Sequence, residues 1–177
     1  NFYFDSYNSA ILINGPCKIQ YSHKNILVAG VEKDPFREYF SFLPDMMFDL
    51  GGMKGSFAAG NEPDVFRSFS GQIIGPVICF ESVFGNHVRQ LVEKGAQYIV
   101  VLTNDGWWKD ASGIWQHWGY SRIRAIETRR SIVRRANTGI SGVIDQRGEI
   151  INQTAINTSV ALSSEICTND SITFYAR

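Results

Sequence analysis

The sequence predicts a single α/β domain built on a mixed β-sheet with helices on one face. From Phe66 onward, apolar runs of strand length alternate with amphipathic segments of helix length, a pattern typical of strands joined by helices. Short strands separated by tight turns follow the last helix, so antiparallel hairpins are expected there. With 177 residues the chain is long enough for one domain with a substantial core.

The composition argues against several classes of partner. Seventeen basic residues balance seventeen acidic ones, so no net charge favours nucleic acid or an anionic membrane surface. No apolar run approaches the roughly 18 residues of a membrane span. Cys17, Cys79 and Cys167 lie far apart and the three histidines are scattered, so the sequence predicts no metal site. The odd number of cysteines leaves at least one thiol free.

The N-terminal third is predicted to hold two extended segments and a long loop. Tyr7–Asn14 is typical of a strand, and residues 21–32 form a second extended segment. Residues 43–65 combine four glycines with large apolar side chains such as Phe48 and Met53. Loops of this length inside a compact domain are usually functional or disordered, and the apolar side chains argue against disorder. We interpret this segment as a flexible, lid-like loop.

The central segment predicts a strand, a helix and a second strand. Gln72–Phe80 is a short apolar run that indicates a buried strand. Glu81–Lys94 has helical apolar spacing, and Gly95 supplies a stop signal. Tyr98–Thr103 is the clearest strand in the chain.

The C-terminal half predicts a turn, a long helix and three strands. Asn104–Asp110 is a turn, and the helix runs from about Gly113 to Arg129. One face of that helix carries four residues, Trp115, Gly119, Ile123 and Ile126. The strands that follow are Ser131–Ala136, Ile140–Ile144 and Glu149–Gln153.

Cys79 is the strongest candidate for a reactive side chain. It ends a predicted buried strand just before a predicted helix, where the helix dipole and free N–H groups favour a thiolate. The same N–H groups are able to bind an oxyanion. The alternative is an inert buried thiol that packs as a small apolar side chain.

The other candidate residues are ambiguous on their own. Lys24 alone is typical of a solvated surface lysine that contributes little to stability. Glu81 fits a carboxylate at a helix N-terminus, and Trp107-Trp108 fit either core contact or a binding surface. Six arginines are better interpreted as a solvated charged face than as a nucleic-acid site: Arg122, Arg124, Arg129, Arg130, Arg134 and Arg135.

The order of several motifs resembles the nitrilase superfamily, and within it the periplasmic domain of the bacterial apolipoprotein N-acyltransferases. The segment ICFE around Cys79 is similar to the family's nucleophile motif, although Phe80 stands where the family often has tyrosine. YSHKNILVAGVE, residues 21–32, resembles its lysine segment, with Glu32 eight residues after Lys24. The acyltransferase branch is indicated by TNDGWW at 103–108, QH at 116–117, RAIE at 124–127 and ANTGIS at 136–141.

The resemblance implies an α-β-β-α sandwich with Cys79 as nucleophile and Lys24 as its cationic partner. It assigns supporting roles to Glu32, Glu81 and Phe80, and it implies no cofactor. Acyl-chain or membrane contact is expected for Trp107 and Trp108, and for Phe48 and Met53 in the loop.

The implied reaction transfers a fatty acyl group from a phospholipid to the N-terminal diacylglyceryl-cysteine of an apolipoprotein through a Cys79 thioester. The implied location is the periplasmic face of the bacterial inner membrane, reached through flanking helices outside this chain. Two alternatives stay open: a soluble amidase of the same superfamily, and a non-catalytic interaction module.

The family's general base, a glutamate on a strand before the lysine, has no counterpart in this sequence. The acidic residue ahead of Lys24 is Asp5. We therefore expect these 177 residues to be a partial domain without the N-terminal strand–helix units, and to be inactive by themselves.

Overall fold

A computed structural model describes residues 5–15, 18–33, 57–108 and 111–177. Phe48, Met53 and Cys17 lie outside these ranges, as does most of the predicted lid-like loop, so the expectations for them stay predictions. Among the described residues, no helix has both the length and the apolar character needed to cross a membrane.

The N-terminal strands form a hairpin of their own. Strand β1, Ser9–Asn14, pairs antiparallel with β2, Lys18–His23. Ala10 of β1 is buried in an apolar cluster with Phe66, Ile74 and Ile78, so the hairpin packs on a second sheet. The predicted first strand is confirmed, whereas the second extended segment is a strand only up to His23.

The second sheet has six strands in chain order. They are β3 Phe66–Arg67, β4 Ile73–Ile78, β5 Tyr98–Thr103, β6 Ile132–Ala136, β7 Gly142–Ile144 and β8 Ile150–Gln153. The pairs β4–β5 and β5–β6 are parallel, and the remaining pairs are antiparallel. The predicted mixed sheet with C-terminal hairpins is therefore confirmed. The parallel strands place their carboxyl ends at one edge, where loops carry function in α/β folds.

The helices cover the sheet face opposite the hairpin. The predicted helix after Cys79 is in fact two pieces, a 3₁₀ helix at Cys79–Val83 and helix α1 at Gly85–Glu93. Helix α2 spans Ala111–Thr128. Val88, Leu91, Trp118 and Ala125 from these helices join the core beneath them.

Helix α2 turns the predicted face toward solvent. Trp115, Ile123 and Ile126 are exposed, while the buried stripe includes polar residues such as His117 and Ser121. Apolar spacing does not mark the buried face of this helix, because its inward-facing side chains partly form hydrogen bonds rather than apolar contacts.

Three of the six arginines are not on a solvated face, so that expectation is wrong for them. Arg124, Arg130 and Arg134 are buried. Arg130 donates to the carbonyl oxygens of Ala96 at 2.6 Å and Ser171 at 2.9 Å, which holds the C-terminal segment against the sheet. Burial of a guanidinium is tolerated because carbonyl acceptors satisfy its donors.

Candidate active site

Cys79 lies at the edge where the parallel strands end. It directly follows β4 and begins the 3₁₀ helix, and its φ of 53° is in the left-handed region. Such a conformation costs about 1–2 kcal/mol for a residue with a Cβ, so neighbouring contacts must hold it. A sharp strand-to-helix turn of this kind exposes a nucleophile at the edge of a sheet. Cys79 is half-buried, and its thiol is free.

Lys24 is buried, contrary to the expectation of a solvated lysine. Its side chain is 1% exposed, and Nζ lies 2.6 Å from Oε2 of Glu32. The same Glu32 oxygen accepts the Val28 N–H at 2.9 Å, while Oε1 accepts from Asn8 at 3.1 Å. The backbone between Lys24 and Glu32 curls around the carboxylate, and an ammonium group needs such a partner once it is removed from water.

Glu81 joins the nucleophile's strand to the segment that carries Lys24. Its Oε2 accepts the Ile78 N–H at 2.8 Å, and its Oε1 accepts the N–H groups of Asn25 at 2.6 Å and Ile26 at 3.2 Å. Burial alone would raise the pKa of Glu81, but the neighbouring His87 imidazole and the backbone donors outweigh it and lower that pKa. The carboxylate therefore stays ionised and fixes the residues on both sides of the site.

Two cavities meet at Cys79. The larger, about 480 Å³, is lined by Cys79 and Glu32 together with polar residues that include Asn8, Thr103 and Asn104. The smaller, about 240 Å³, is mostly apolar. Its lining consists of Lys24, Val28, Val31, Glu32, Cys79, Phe80, Trp107, Trp108 and His117. Of the described residues that the resemblance assigned to the site, Lys24, Glu32, Cys79, Phe80, Trp107 and Trp108 line this cavity, and Glu81 does not.

The two tryptophans are on the surface rather than in the core. Trp107 and Trp108 are 36% and 43% exposed, and both line the apolar cavity. Phe80 shares this cavity and packs edge-on against Phe84, with ring centroids 5.4 Å apart. Of the two interpretations of the Trp pair, the structure favours a binding surface, since exposed aromatic rings that border a pocket can contact an apolar ligand.

A buried polar network lies beneath Cys79, and sequence reasoning missed it. His117 Nδ1 lies 2.7 Å from Asp105 Oδ1, and Arg134 Nη2 donates to Asp105 Oδ2 at 2.8 Å. Burial alone would raise the pKa of Asp105, but the hydrogen bond from His117 and the charge of Arg134 outweigh it and lower that pKa. The available signal was indirect: His117 and Asp105 stand inside the motifs QH and TNDGWW, which give no role to either.

Sequence comparison places this site in a known family. The carbon–nitrogen hydrolase family model matches residues 2–166. The apolipoprotein N-acyltransferase of Chlorobaculum tepidum is 36% identical over 179 residues, which cover 97% of this chain and 33% of that protein. The apolipoprotein N-acyltransferase of Thermotoga maritima is 31% identical, and the match covers 98% of this chain and 33% of that protein. The chain therefore spans about a third of the length of these relatives.

Structural comparison agrees at the level of the fold. Saccharomyces cerevisiae Nit3, described as a member of branch 10 of the nitrilase superfamily, superposes with a TM-score of 0.62 at 17% identity. The match covers 85% of this chain and 49% of Nit3. It confirms the predicted fold class. Because the family model matches nearly the whole sequence, this chain belongs to the carbon–nitrogen hydrolase family, the nitrilase superfamily.

Proposed function

We propose that this chain carries the catalytic site of an N-acyltransferase that moves a fatty acyl group from a phospholipid to the N-terminal diacylglyceryl-cysteine of an apolipoprotein. The observation that carries the proposal is that Cys79, Lys24 and the exposed Trp107-Trp108 pair line one and the same apolar cavity. A thiol and a buried cation are suited to acyl transfer, and a wall of aromatic side chains is suited to an acyl chain. The names of the relatives support the same assignment.

In the first half-reaction, the Cys79 thiolate attacks the ester carbonyl carbon of the phospholipid. The tetrahedral oxyanion is stabilised by the Lys24 ammonium and by the backbone N–H that follows Cys79. The C–O bond then breaks, the acyl group stays on Cys79 as a thioester, and the lysophospholipid alkoxide takes up the proton that the Cys79 thiol lost when it became a thiolate. In the second half-reaction, the acceptor amine attacks the thioester and the C–S bond breaks. The proton that the amine nitrogen loses returns to the Cys79 sulfur, which leaves an amide and a free thiol.

Glu32 and Glu81 act in support of these steps. Glu32 holds the Lys24 ammonium in place, and Glu81 holds the Lys24 segment against the end of β4. Phe80, Trp107 and Trp108 form the wall that receives the acyl chain and faces the lipid surface. Both substrates are lipids, so the protein would act at a membrane, and we place this domain on the periplasmic face of the bacterial inner membrane.

The test uses the product of the complete gene in detergent with a phospholipid donor and a diacylglyceryl-cysteine peptide acceptor. Mass spectrometry should detect a hydroxylamine-sensitive acyl group on Cys79 and an N-acylated peptide, and Cys79→Ala should form neither. Hydrolysis of small amides without acyl transfer would instead identify a soluble-type amidase. Absence of any acylation at Cys79 would indicate a non-catalytic module.

A further inference from the structure

The carbonyl oxygen of Cys79 is held by two side chains. His117 Nε2 lies 3.1 Å from this oxygen, and Ser82 Oγ donates to it at 3.0 Å. His117 Nε2 and Ser82 Oγ also lie 2.9 Å apart, so the three groups form one cluster. Because Cys79 has the unfavourable left-handed φ of 53°, contacts that fix its carbonyl help to hold the conformation.

The two ring nitrogens of His117 face different partners. Nδ1 lies 2.7 Å from Asp105 Oδ1 and 3.0 Å from Arg134 Nη2. Nε2 lies 3.1 Å from the carbonyl oxygen of Cys79, and because a carbonyl oxygen only accepts, a hydrogen on Nε2 makes this contact a hydrogen bond. His117 thus connects the Asp105 carboxylate to the nucleophile's backbone.

Peptide geometry extends this anchor to the reacting atoms. The peptide between Cys79 and Phe80 is planar and trans, so its C=O and its N–H point in opposite directions. Because the Cys79 carbonyl points toward His117, the Phe80 N–H of the same peptide group points away from His117. That N–H is the backbone donor to the oxyanion in the acyl transfer described above, so the contact between His117 and the carbonyl determines its direction.

The anchor is itself rigid. Thr103 Oγ1 donates to Asp105 Oδ1 at 3.0 Å, and the fully buried Arg134 donates to Asp105 Oδ2 at 2.8 Å. Gly139 has a φ of 109° and packs so closely on the Asp105 carboxylate that a Cβ there would collide with it. The support thus comes from β5, β6 and the loop after β6, and a preorganised donor needs no reorganisation during the reaction.

We propose that His117 is a positioning residue that holds the Cys79 carbonyl through Nε2 and thereby directs the Phe80 N–H toward the oxyanion. This inference rests on the proposed acyl transfer at Cys79. It assigns to His117 a role in stabilising the tetrahedral intermediate, distinct from activation of the thiol and from packing of α2.

Two reactions of the same thiol separate these roles. A soluble p-nitrophenyl fatty ester acylates Cys79 through a tetrahedral oxyanion and releases p-nitrophenolate. Iodoacetamide alkylates the thiolate by direct displacement of iodide, without an oxyanion. Both rates are measured on the product of the complete gene. His117→Ala should slow acylation by about 10- to 100-fold, somewhat less than direct loss of an oxyanion donor, and should slow alkylation far less.

Two conservative variants test whether Nε2 of His117 is the atom that holds the Cys79 carbonyl. The amide nitrogen of glutamine can replace Nε2, so His117→Gln should recover much of the acylation rate. The amide of asparagine reaches only the Nδ1 position, so His117→Asn should behave like His117→Ala. As a matched control, Ala125→Gly on the buried face of α2 should lower the melting temperature and leave the ratio of the two rates unchanged.

The outcomes are distinct. Equal losses of acylation and alkylation in His117→Ala would overturn the inference in favour of a thiolate or folding effect. Rescue by asparagine and not by glutamine would overturn it in favour of the Asp105 contact. If wild-type Cys79 is alkylated but never acylated, the proposed function fails first, and the inference fails with it. A selective loss of acylation, rescued by glutamine, supports both.

Discussion

Lys24 Nζ lies 2.6 Å from Glu32 Oε2, and both side chains are buried beside the cavity that contains Cys79. The expectation of a solvated lysine that contributes little to stability is therefore wrong. Removing one member of a buried ion pair leaves the other charge without a partner in a medium of low dielectric constant. The pair thus connects the chemistry of the site to the stability of the fold.

We predict that Lys24→Met lowers both acyl transfer and stability. Transfer should fall about 10²-fold or more, as for loss of one oxyanion donor, and the free energy of unfolding by about 3–5 kcal/mol. The matched control is Lys94→Met, which breaks an exposed pair with Glu62 and should cost about 0–1 kcal/mol. Urea denaturation and transfer assays provide both quantities.

The double variant Lys24→Met/Glu32→Gln separates the two roles of the pair. Removing both charges should restore part of the lost stability, because no unpaired charge stays buried. Acyl transfer should stay low, because the oxyanion still lacks its cation. Recovery of activity together with stability would remove Lys24 from the chemistry.

We predict that Cys79 is the thiol that reacts with acyl donors. Cys167 is exposed and Cys79 is half-buried, so exposure alone would favour Cys167. Labelling by a fluorophosphonate or acyl probe should nevertheless map to Cys79 and disappear in Cys79→Ala. Cys167→Ala and Cys17→Ala are the controls and should label normally. Comparable labelling at Cys17 or Cys167 would contradict the assignment.

We predict that Trp107 and Trp108 serve the lipid substrate more than the bond-forming step. Alanine at either position should reduce transfer from phospholipid about tenfold, since each ring contributes on the order of 1–2 kcal/mol of apolar contact. Acylation by p-nitrophenyl acetate should fall much less. Trp115→Ala removes an equally exposed ring from α2, away from the cavity, and is the control. A similar loss in that variant would indicate a general surface effect.

The position of Cys79 between a strand and a helix could be predicted from the sequence. The apolar run before it and the helix-like segment after it are both local signals. The burial of Lys24 could not be predicted, because its partner Glu32 lies eight residues away across a curled segment. The missed residues Asp105, His117 and Arg134 come from three different elements. Their meeting depends on the parallel register of β5 and β6, which no local pattern specifies.

The sheet itself was predictable in type and in most of its strands. The orientation of helix α2 could not be predicted from its apolar residues, because Trp115, Ile123 and Ile126 share an exposed face while the polar residues His117 and Ser121 lie on the buried one. The usual rule is that apolar residues mark the buried face of a helix. It fails where a hydrogen-bonded network of polar residues replaces apolar packing. The same physical cause explains the buried arginines.

We predict that the 177 residues alone form a Cys79 thioester slowly and do not turn over. Aminolysis requires a base for the acceptor amine, and a base must reach its proton. Both oxygens of Glu81 accept backbone N–H groups, and Glu32 is engaged by Lys24, Val28 and Asn8. Burst kinetics with a phospholipid donor and a diacylglyceryl peptide would measure this. Multiple turnovers would make Glu32 the base.

The buried carboxylates should also control stability in acid. The pKa of Asp105 is lowered from an ordinary 3.8, and that of Glu81 from an ordinary 4.5. A carboxylate with a lowered pKa in the folded state contributes stability that is complete above the unfolded value. That contribution is lost as pH falls from about 4.5 through the lowered folded values, because the folded state resists protonation more than the unfolded chain does.

The variants Glu81→Gln and Asp105→Asn should therefore be less stable than wild type at pH 7. Below about pH 4.5, their stability should change less with pH than that of wild type. Asp105→Asn leaves the buried Arg134 without its carboxylate, which costs about 3–5 kcal/mol at neutral pH. Melting temperatures between pH 3 and pH 7 measure both effects, with the surface variant Glu93→Gln as the control. If the melting temperatures of both variants fall as steeply with decreasing pH as that of wild type, carboxylates other than Glu81 and Asp105 cause the loss of stability in acid.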